Sequence, residues 1–278
     1  MEELQDIRIL LILCLSLMTS ACTQTGDTGQ EAESPSESPI SYIDPQEDSG
    51  MSMAVTVDDV PLAHTSQMMP IDQAGNLVGG DDLNQQYDRV MQNLRQSLKA
   101  GGSSMNRTVQ VRFYLKREED TETVRKLMAE TFSGEHKPTV AYVVSNLPHP
   151  EALIAADAVG VSTNESGDVT IHRASGIPGS PKQGHVSIMP RGNKVYLSGQ
   201  TEEGQMIEST VEVMKSLLGT AAWLGLDASD VIQVKAFMHP IADAQAVEDT
   251  VRSYFREGLA PPFVAVEWYD ASYLSYLS

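Results

Sequence analysis

The stretch His64-Thr65-Ser66-Gln67-Met68 is followed in the second half of the chain by a similar stretch, His185-Val186-Ser187-Ile188-Met189. Further matches run in the same order: Gly75-Asn76 with Gly192-Asn193, Gln110-Val111-Arg112 with Gln233-Val234-Lys235, and residues 137–140 with residues 261–264. A series of short matches in one order is the pattern that an internal repeat leaves in a sequence.

The intervals between the matched residues agree as well. Val111 and Phe132 lie 21 residues apart, and so do Val234 and Phe255. Because chance rarely preserves both identity and interval, the sequence predicts a tandem duplication of a unit of about a hundred residues. The chain has 278 residues and therefore has room for two such domains.

Both predicted domains contain strands and helices in a similar order. The first domain, residues 51–161, is predicted to hold strands at 53–57, 109–115, 140–144 and 152–156. Its first helix is predicted to end at Gly101-Gly102 and to carry on one face Tyr87, Val90, Met91, Leu94 and Leu98. Its second helix is predicted to be capped by Thr121. The second domain, residues 162–278, begins with a polar linker at 162–167 and is predicted to hold strands at 169–173, 195–199, 231–238 and 263–268. Its first helix is predicted to carry on one face Ile207, Val211, Met214, Leu218 and Ala221, and its second helix is predicted at 244–255. We expect the α+β class, with the two helices of each domain packed on one face of a mixed sheet, and with the last strand of the second domain missing.

The N-terminus is predicted to be a targeting signal rather than a domain. Residues 7–18 form an apolar run with the length of a signal-peptide core, and Leu17-Met18-Thr19-Ser20-Ala21-Cys22 resembles a bacterial lipobox. Lipidation of Cys22 would anchor an exported protein to the membrane, whereas plain cleavage after Ala21 would leave a free thiol. Residues 23–50 are rich in Ser, Pro, Glu, Thr and Gly and are predicted to be a disordered acidic tether.

Charge and cysteine content exclude several classes of function. The net charge is −19, and the first 50 residues hold ten acidic residues and one arginine, which leaves −10 for the rest. An acidic body repels phosphate backbones, so no nucleic-acid partner is expected. Cys14 lies in the predicted leader and Cys22 at its lipidation site. The remaining chain can therefore form no disulfide, thiol catalyst or cysteine zinc site, and we predict neither a metal nor a cofactor.

An ordered series of features in the second domain resembles the RidA/YjgF family, also called the endoribonuclease L-PSP family. The series consists of the strand end Tyr196-Leu197-Ser198-Gly199-Gln200, a helix closing at Leu224-Gly225-Leu226, the strand 231–235, the pair Tyr254-Phe255 and the proline turn 261–263. The resemblance is strong over residues 167–268 and weaker over 53–160. It implies a chorismate-mutase-like fold, trimers with ligand clefts between subunits, and hydrolysis of imines and enamines derived from amino acids.

In that chemistry a turn arginine binds the substrate carboxylate, and an acidic residue on the last strand positions the attacking water. At the position of the arginine this sequence has Phe263 in the second domain and Thr139 in the first, or Val140 after a shift of one residue. At the position of the acid it has Ala155, with Asp157 two residues further on. An asparagine that is common in the second helix of the family is replaced by Glu248 and Arg125. The resemblance therefore implies the cleft of the family without its carboxylate-binding arginine.

The resemblance and the repeat together nominate residues for the ligand cleft: His64, Gly79, Thr139, Asp157, His185, Ser198, Gly199 and Phe263. His64 and His185 would each either serve a ligand as donor, acid or base, or be held by loop backbone. The Ser198-Gly199 strand end would let backbone approach a ligand closely, with Gly79 as its counterpart. Phe263 either adapts the cleft to uncharged or aromatic ligands or closes it.

Three functions remain open at this point. The first is an exported imine or enamine deaminase. The second is a non-catalytic module for small-molecule binding or assembly, anchored at the membrane. The third is a ribonuclease, which the acidic body disfavours. The resemblance also implies a homo-oligomer with a trimer-like arrangement.

Overall fold

A computed structural model describes residues 10–17, 38–255 and 258–268. Its strands are β1 Leu10–Leu17, β2 Ile40–Gln46, β3 Met51–Val57, β4 Leu62–Thr65, β5 Thr108–Leu115, β6 Thr139–Val144, β7 Ile154–Val161, β8 Thr170–His172, β9 Val186–Met189, β10 Asn193–Tyr196, β11 Val231–Met238 and β12 Phe263–Glu267. Its α-helices are α1 Leu83–Ala100, α2 Thr121–Thr131, α3 Met206–Trp223 and α4 Ala244–Arg252.

Two mixed sheets and a hairpin make up the β structure. The first sheet has the strand order β6-β5-β7-β4-β9-β8, the second has the order β10-β1-β11-β12, and β2 pairs with β3 alone. One pair in each mixed sheet is parallel, β5 with β6 and β11 with β12, and a helix connects the two strands of each pair. The helices are needed there because a tight turn cannot join parallel neighbours. The predicted α+β class is confirmed.

The helix α1 illustrates how local sequence sets the packing. The Asp82 side chain accepts from the backbone N–H groups of Asn84 and Gln85 at 2.9 and 3.2 Å, and the helix ends at Gly101. Its predicted apolar face is buried against β5 and β7. The helices α3 and α4 pack in the same way on the second sheet. No helix in the described part of the chain is long and apolar enough to cross a membrane.

The two halves of the chain share the first sheet. Strand β9, from the second half, pairs antiparallel with β4, so that His64 lies opposite Ser187. Buried hydrogen bonds reinforce this junction, since Gln233 Nε2 donates to the Thr65 carbonyl at 2.7 Å and Ser97 Oγ to the His185 carbonyl at 2.8 Å. Strands from both sides of the predicted boundary at residue 162 therefore lie in one sheet.

Strand β1 occupies a specific position in the second sheet. It lies between β10 and β11 and is antiparallel to both, as β7 lies between β4 and β5 in the first sheet. The position of the strand predicted to be missing is thus filled by part of the predicted signal peptide. Cys22 and the last ten residues lie outside the described residues, so lipidation stays a prediction.

The predicted disordered tether ends before residue 50. Residues Ile40–Gln46 form β2, and Ile40 is buried in an apolar cluster with Val109 and Val159. The Tyr42 hydroxyl also donates to the Thr108 carbonyl at 3.2 Å. Ile40 and Tyr42 lie on one face of the strand, and Ser41 and the exposed Ile43 lie on the other, which is the arrangement of a half-buried strand that an argument from composition overlooks. Residues 23–37 lie outside the described residues.

Two details of the helices also differ from the prediction. Thr121 does not cap α2, because the turn Glu118–Asp120 runs directly into the helix and no side chain caps it. The buried face of α3 includes Val213 and Leu217, whereas the predicted face residue Ile207 is 39 % exposed. Helix α3 carries apolar residues around much of its circumference, which blurs the period from which its face was predicted.

Candidate functional site

A cleft with a volume of about 410 Å³ lies between the two halves of the chain. From the first half, Gln67, Met68, Met69, Ile71, Asn93 and Pro148 line it. From the second half, the lining includes Ile177, Gln183, His185, Glu248, Phe263 and Ala265. This volume lies within the range of small-molecule sites, which combine apolar walls with a few polar groups.

The backbone that follows β4 forms the seam beside the cleft. The N–H of Gln67 donates to the Phe263 carbonyl at 3.1 Å, and the N–H of Ser66 donates to the His185 carbonyl at 2.9 Å. Gln67 Oε1 in turn accepts from the N–H of Ala265 at 3.4 Å. These contacts satisfy backbone groups of β12, the edge strand of the second sheet, and they place the two walls at a fixed spacing.

Two buried amides in the lining have one unpartnered atom each. Asn93 is fully buried, and its Nδ2 donates to the carbonyls of Met69 and Ile71 at 2.9 and 3.1 Å. These bonds fix the orientation of the amide, so the acceptor Oδ1 is left without a partner. The bond from Ala265 likewise leaves the Gln67 Nε2 donor without one. A ligand that pairs such atoms recovers a cost of about 1–3 kcal/mol for each.

His185 is buried, and both of its ring nitrogens lie against backbone groups. Its Nδ1 accepts from the N–H of Ala174 at 3.1 Å, so the ring proton resides on Nε2. Nε2 lies near the Pro178 backbone but makes no hydrogen bond of normal geometry. Burial and then the charge of Arg173 lower the pKa of His185 to about 4. The imidazole is therefore neutral near pH 7.

Glu248 is the only charged side chain among the described residues that line the cleft. Its Oε1 lies 3.3 Å from Arg252 Nη2. Arg252 is shared, because its other nitrogens contact Asp249 at 2.5 Å and Gln183 Oε1 at 3.2 Å. Burial raises the pKa of the Glu248 carboxyl, and the neighbouring Arg252 opposes this. Two carboxylates thus compete for one guanidinium at this wall.

The structure brings His185 and Phe263 together in the cleft but places four other candidates elsewhere. Thr139 Oγ1 donates to the Val109 carbonyl at 3.0 Å within the first sheet. Gly79 forms the turn before α1 with φ of +93°. Ser198 and Gly199 follow β10, where Ser198 is exposed, and neither lines the cleft.

Asp157 and His64 lie on the inner face of the first sheet. Asp157 is fully buried, accepts from Arg112 Nε at 3.0 Å and from Arg112 Nη2, and also accepts from the Tyr114 hydroxyl at 2.7 Å. Arg112 and Asp157 are direct partners across β5 and β7, so this is a structural ion pair. The Nε2 of His64 is buried without a partner, and burial followed by the charges of Arg112 and Lys235 lowers the pKa of His64 to about 3.

The expected register between the two halves was wrong near His64. Strand β4 directly precedes α1 as β10 precedes α3, so β4 corresponds in order to β10 and not to β9. His64–Met68 and His185–Met189 are paired neighbours rather than equivalent stretches. The counterpart of Gly199-Gln200 is Ser66-Gln67, and this shared glutamine is the signal that would have identified Gln67 as a cleft residue in place of Gly79.

Comparisons with known proteins identify the relatives of this chain. Residues 48–161 match the endoribonuclease L-PSP family. RutC family proteins of Pyrococcus abyssi and Pyrococcus horikoshii are each 39% identical to it over 93 residues, which are 33% of this chain and 71% of theirs. The structure of the Rid-family protein YyfB from Yersinia pestis, of unknown function, is 23% identical with a TM-score of 0.42, and covers 45% of this chain and 99% of that one. The family match thus falls on the first half, where the resemblance was expected to be weaker.

The ion pair of Asp157 yields a prediction about stability. The substitution Asp157→Asn leaves the buried Arg112 without its carboxylate, and we expect the free energy of unfolding to fall by about 3–5 kcal/mol. Urea unfolding measures this change. Glu122→Gln, which removes an exposed partner of Arg125, is the control and should cost under about 0.5 kcal/mol. Equal effects of the two substitutions would refute a structural role for Asp157.

The histidines predict the dependence of stability on pH. Folded His185 has a lowered pKa of about 4, so between this value and about 6.5 the unfolded chain binds a proton that the folded chain does not. The free energy of unfolding should therefore decline as pH falls through this window, with His64 contributing in the same direction. His185→Asn should flatten the decline, and His136→Asn, at an exposed position, is the matched control. An unaltered slope for His185→Asn would contradict the assignment.

Proposed function

The chain belongs to the endoribonuclease L-PSP family, and we propose that it binds a small organic molecule in the cleft between its halves. We propose further that it does not hydrolyse 2-imino acids. The resemblance to RidA/YjgF proteins implies a ligand cleft between neighbouring subunits. In this chain two covalently joined halves supply the two walls of a cleft. The unpartnered atoms of Asn93 and Gln67 make this cleft suited to a polar ligand.

The observation that carries the proposal is the electrostatics of the lining. No lysine or arginine is found among the described residues that line the cleft. Phe263, at the position where the resemblance expects the arginine, lies in the lining and is only 8 % exposed. A substrate carboxylate would lose its hydration there without gaining a bidentate partner, which is unfavourable.

Two arginines beside the cleft are already engaged. Arg252 contacts Glu248, Asp249 and Gln183, as described above. Arg173 donates to the carbonyls of Ser180 and Gln183, the latter at 2.7 Å. Turning either one toward a carboxylate would break bonds to buried or half-buried groups.

Two measurements test the proposed function. A thermal-shift screen of small polar molecules should return ligands whose stabilisation is lost in Ala242→Trp, which fills the rim of the cleft. Ala246→Trp, exposed on α4 and outside the lining, is the matched control and should keep it. Ammonia release from a freshly generated 2-imino acid should equal the rate in buffer. Ligands unaffected by Ala242→Trp, or a rate clearly above buffer, would contradict the proposal.

We also propose, from the sequence, that residues 1–22 direct export, that Cys22 is lipidated, and that the protein forms a trimer-like homo-oligomer, as proteins of this family commonly form homo-oligomers. Mass spectrometry of the protein from its native cell tests processing. The expected species begins at a lipid-modified Cys22, whereas an unprocessed chain of 30.2 kDa would contradict export and support retention of β1. Light scattering tests the assembly, and a monomeric mass would refute it.

A further inference from the structure

The cleft carries an excess of negative charge at one wall. Glu248 and Asp249 share Arg252, and all three lie on α4, so the sum on this helix is one negative charge. The positive charge of Arg173 lies on the His185 side of the cleft. Glu248 lines the cleft and Asp249 does not. Arg252 pairs with Oε1 of Glu248. Glu248 is therefore the side chain of this wall through which the negative charge borders the cleft.

Phe263 adds an aromatic ring to the same lining. The face of an aromatic ring attracts a cation, and the attraction grows when both groups are removed from water. Phe263 is almost fully buried, and the apolar side chains of Met68, Met69 and Ile71 belong to the same lining. A carboxylate and an aromatic ring in one apolar cleft favour an organic cation and disfavour an anion.

The unpartnered polar atoms define the rest of the ligand. Asn93 Oδ1 requires an N–H or O–H donor, whereas Gln67 Nε2 requires an acceptor. An amide or a hydroxyl supplies both kinds of group without adding charge. These two atoms are both buried and belong to residues of one lining.

We propose that the cleft binds a small primary amine that also carries a neutral hydrogen-bonding group, with the ammonium directed to Glu248 and Phe263 and the neutral group to Gln67 and Asn93. This inference rests on the proposed function, since it names the class of ligand for the same cleft. In the RidA/YjgF resemblance an arginine binds an anionic group of the substrate. The inference gives Glu248 the corresponding role toward a cationic group.

Three probes of similar length test the proposal: 6-aminohexanamide as the cation, hexanamide as the neutral molecule and adipamate as the anion. Calorimetry and ligand-observed NMR at pH 7.5 should show 6-aminohexanamide binding about tenfold or more tighter than hexanamide, and no binding of adipamate. Glu248→Gln should remove the preference for the amine, so that 6-aminohexanamide and hexanamide bind alike. Glu212→Gln, an exposed carboxylate paired with Lys215 on α3, is the matched control and should change neither.

The outcomes separate this inference from the proposed function. Equal binding of the amine and hexanamide, with both abolished by Ala242→Trp, would overturn the amine preference and leave the cleft as a binding site. Tighter binding of adipamate would also overturn it. Binding of the amine that survives Ala242→Trp would overturn both proposals, because the ligand would then occupy another place. Circular dichroism of each variant checks that it is folded.

Discussion

The rest of the structure depends on the contact between the backbone after β4 and two strands of the other half. The antiparallel ladder of β4 with β9 continues directly into the hydrogen bonds from Ser66 and Gln67 to His185 and Phe263. Because backbone groups make these bonds, they do not rely on particular side chains. They hold two mixed sheets in one body and set the width of the cleft.

The cleft illustrates how a fold can be kept while its electrostatics change. The family resemblance leads one to expect a cleft at this place, and Phe263 and the residues after β4 both line it. The charged group, however, is an acid on α4 and not a base on the turn. The charged side chain of the described lining therefore differs in sign and in position from the expected arginine.

Much of the fold could be predicted from the sequence because periodic apolar residues report local structure directly. The strands β5, β6 and β11 and the buried face of α1 were expected within one residue or at the observed residues. Those predictions need only neighbours in the sequence. The hairpin strand β2 was missed because a few apolar residues lay in a stretch whose overall composition is polar.

The site was harder to predict because its residues meet only after folding. Phe263 and His185 were expected and line the cleft, whereas Asn93 lies on the helix face turned to the other half and its role has no local signal. Gln67 could have been found if β4 had been aligned with β10. The similarity between His64–Met68 and His185–Met189, which lie on adjacent strands, concealed this alignment.

A cleft whose walls belong to one polypeptide has a consequence for stoichiometry and for divergence. In a ring of identical subunits every cleft is the same, and each substitution alters all of them at once. Here Gln67 and Phe263 are encoded separately, so either wall can change while the other is preserved. The site is also present at any dilution of the protein, since its assembly is a folding step and not an association between chains.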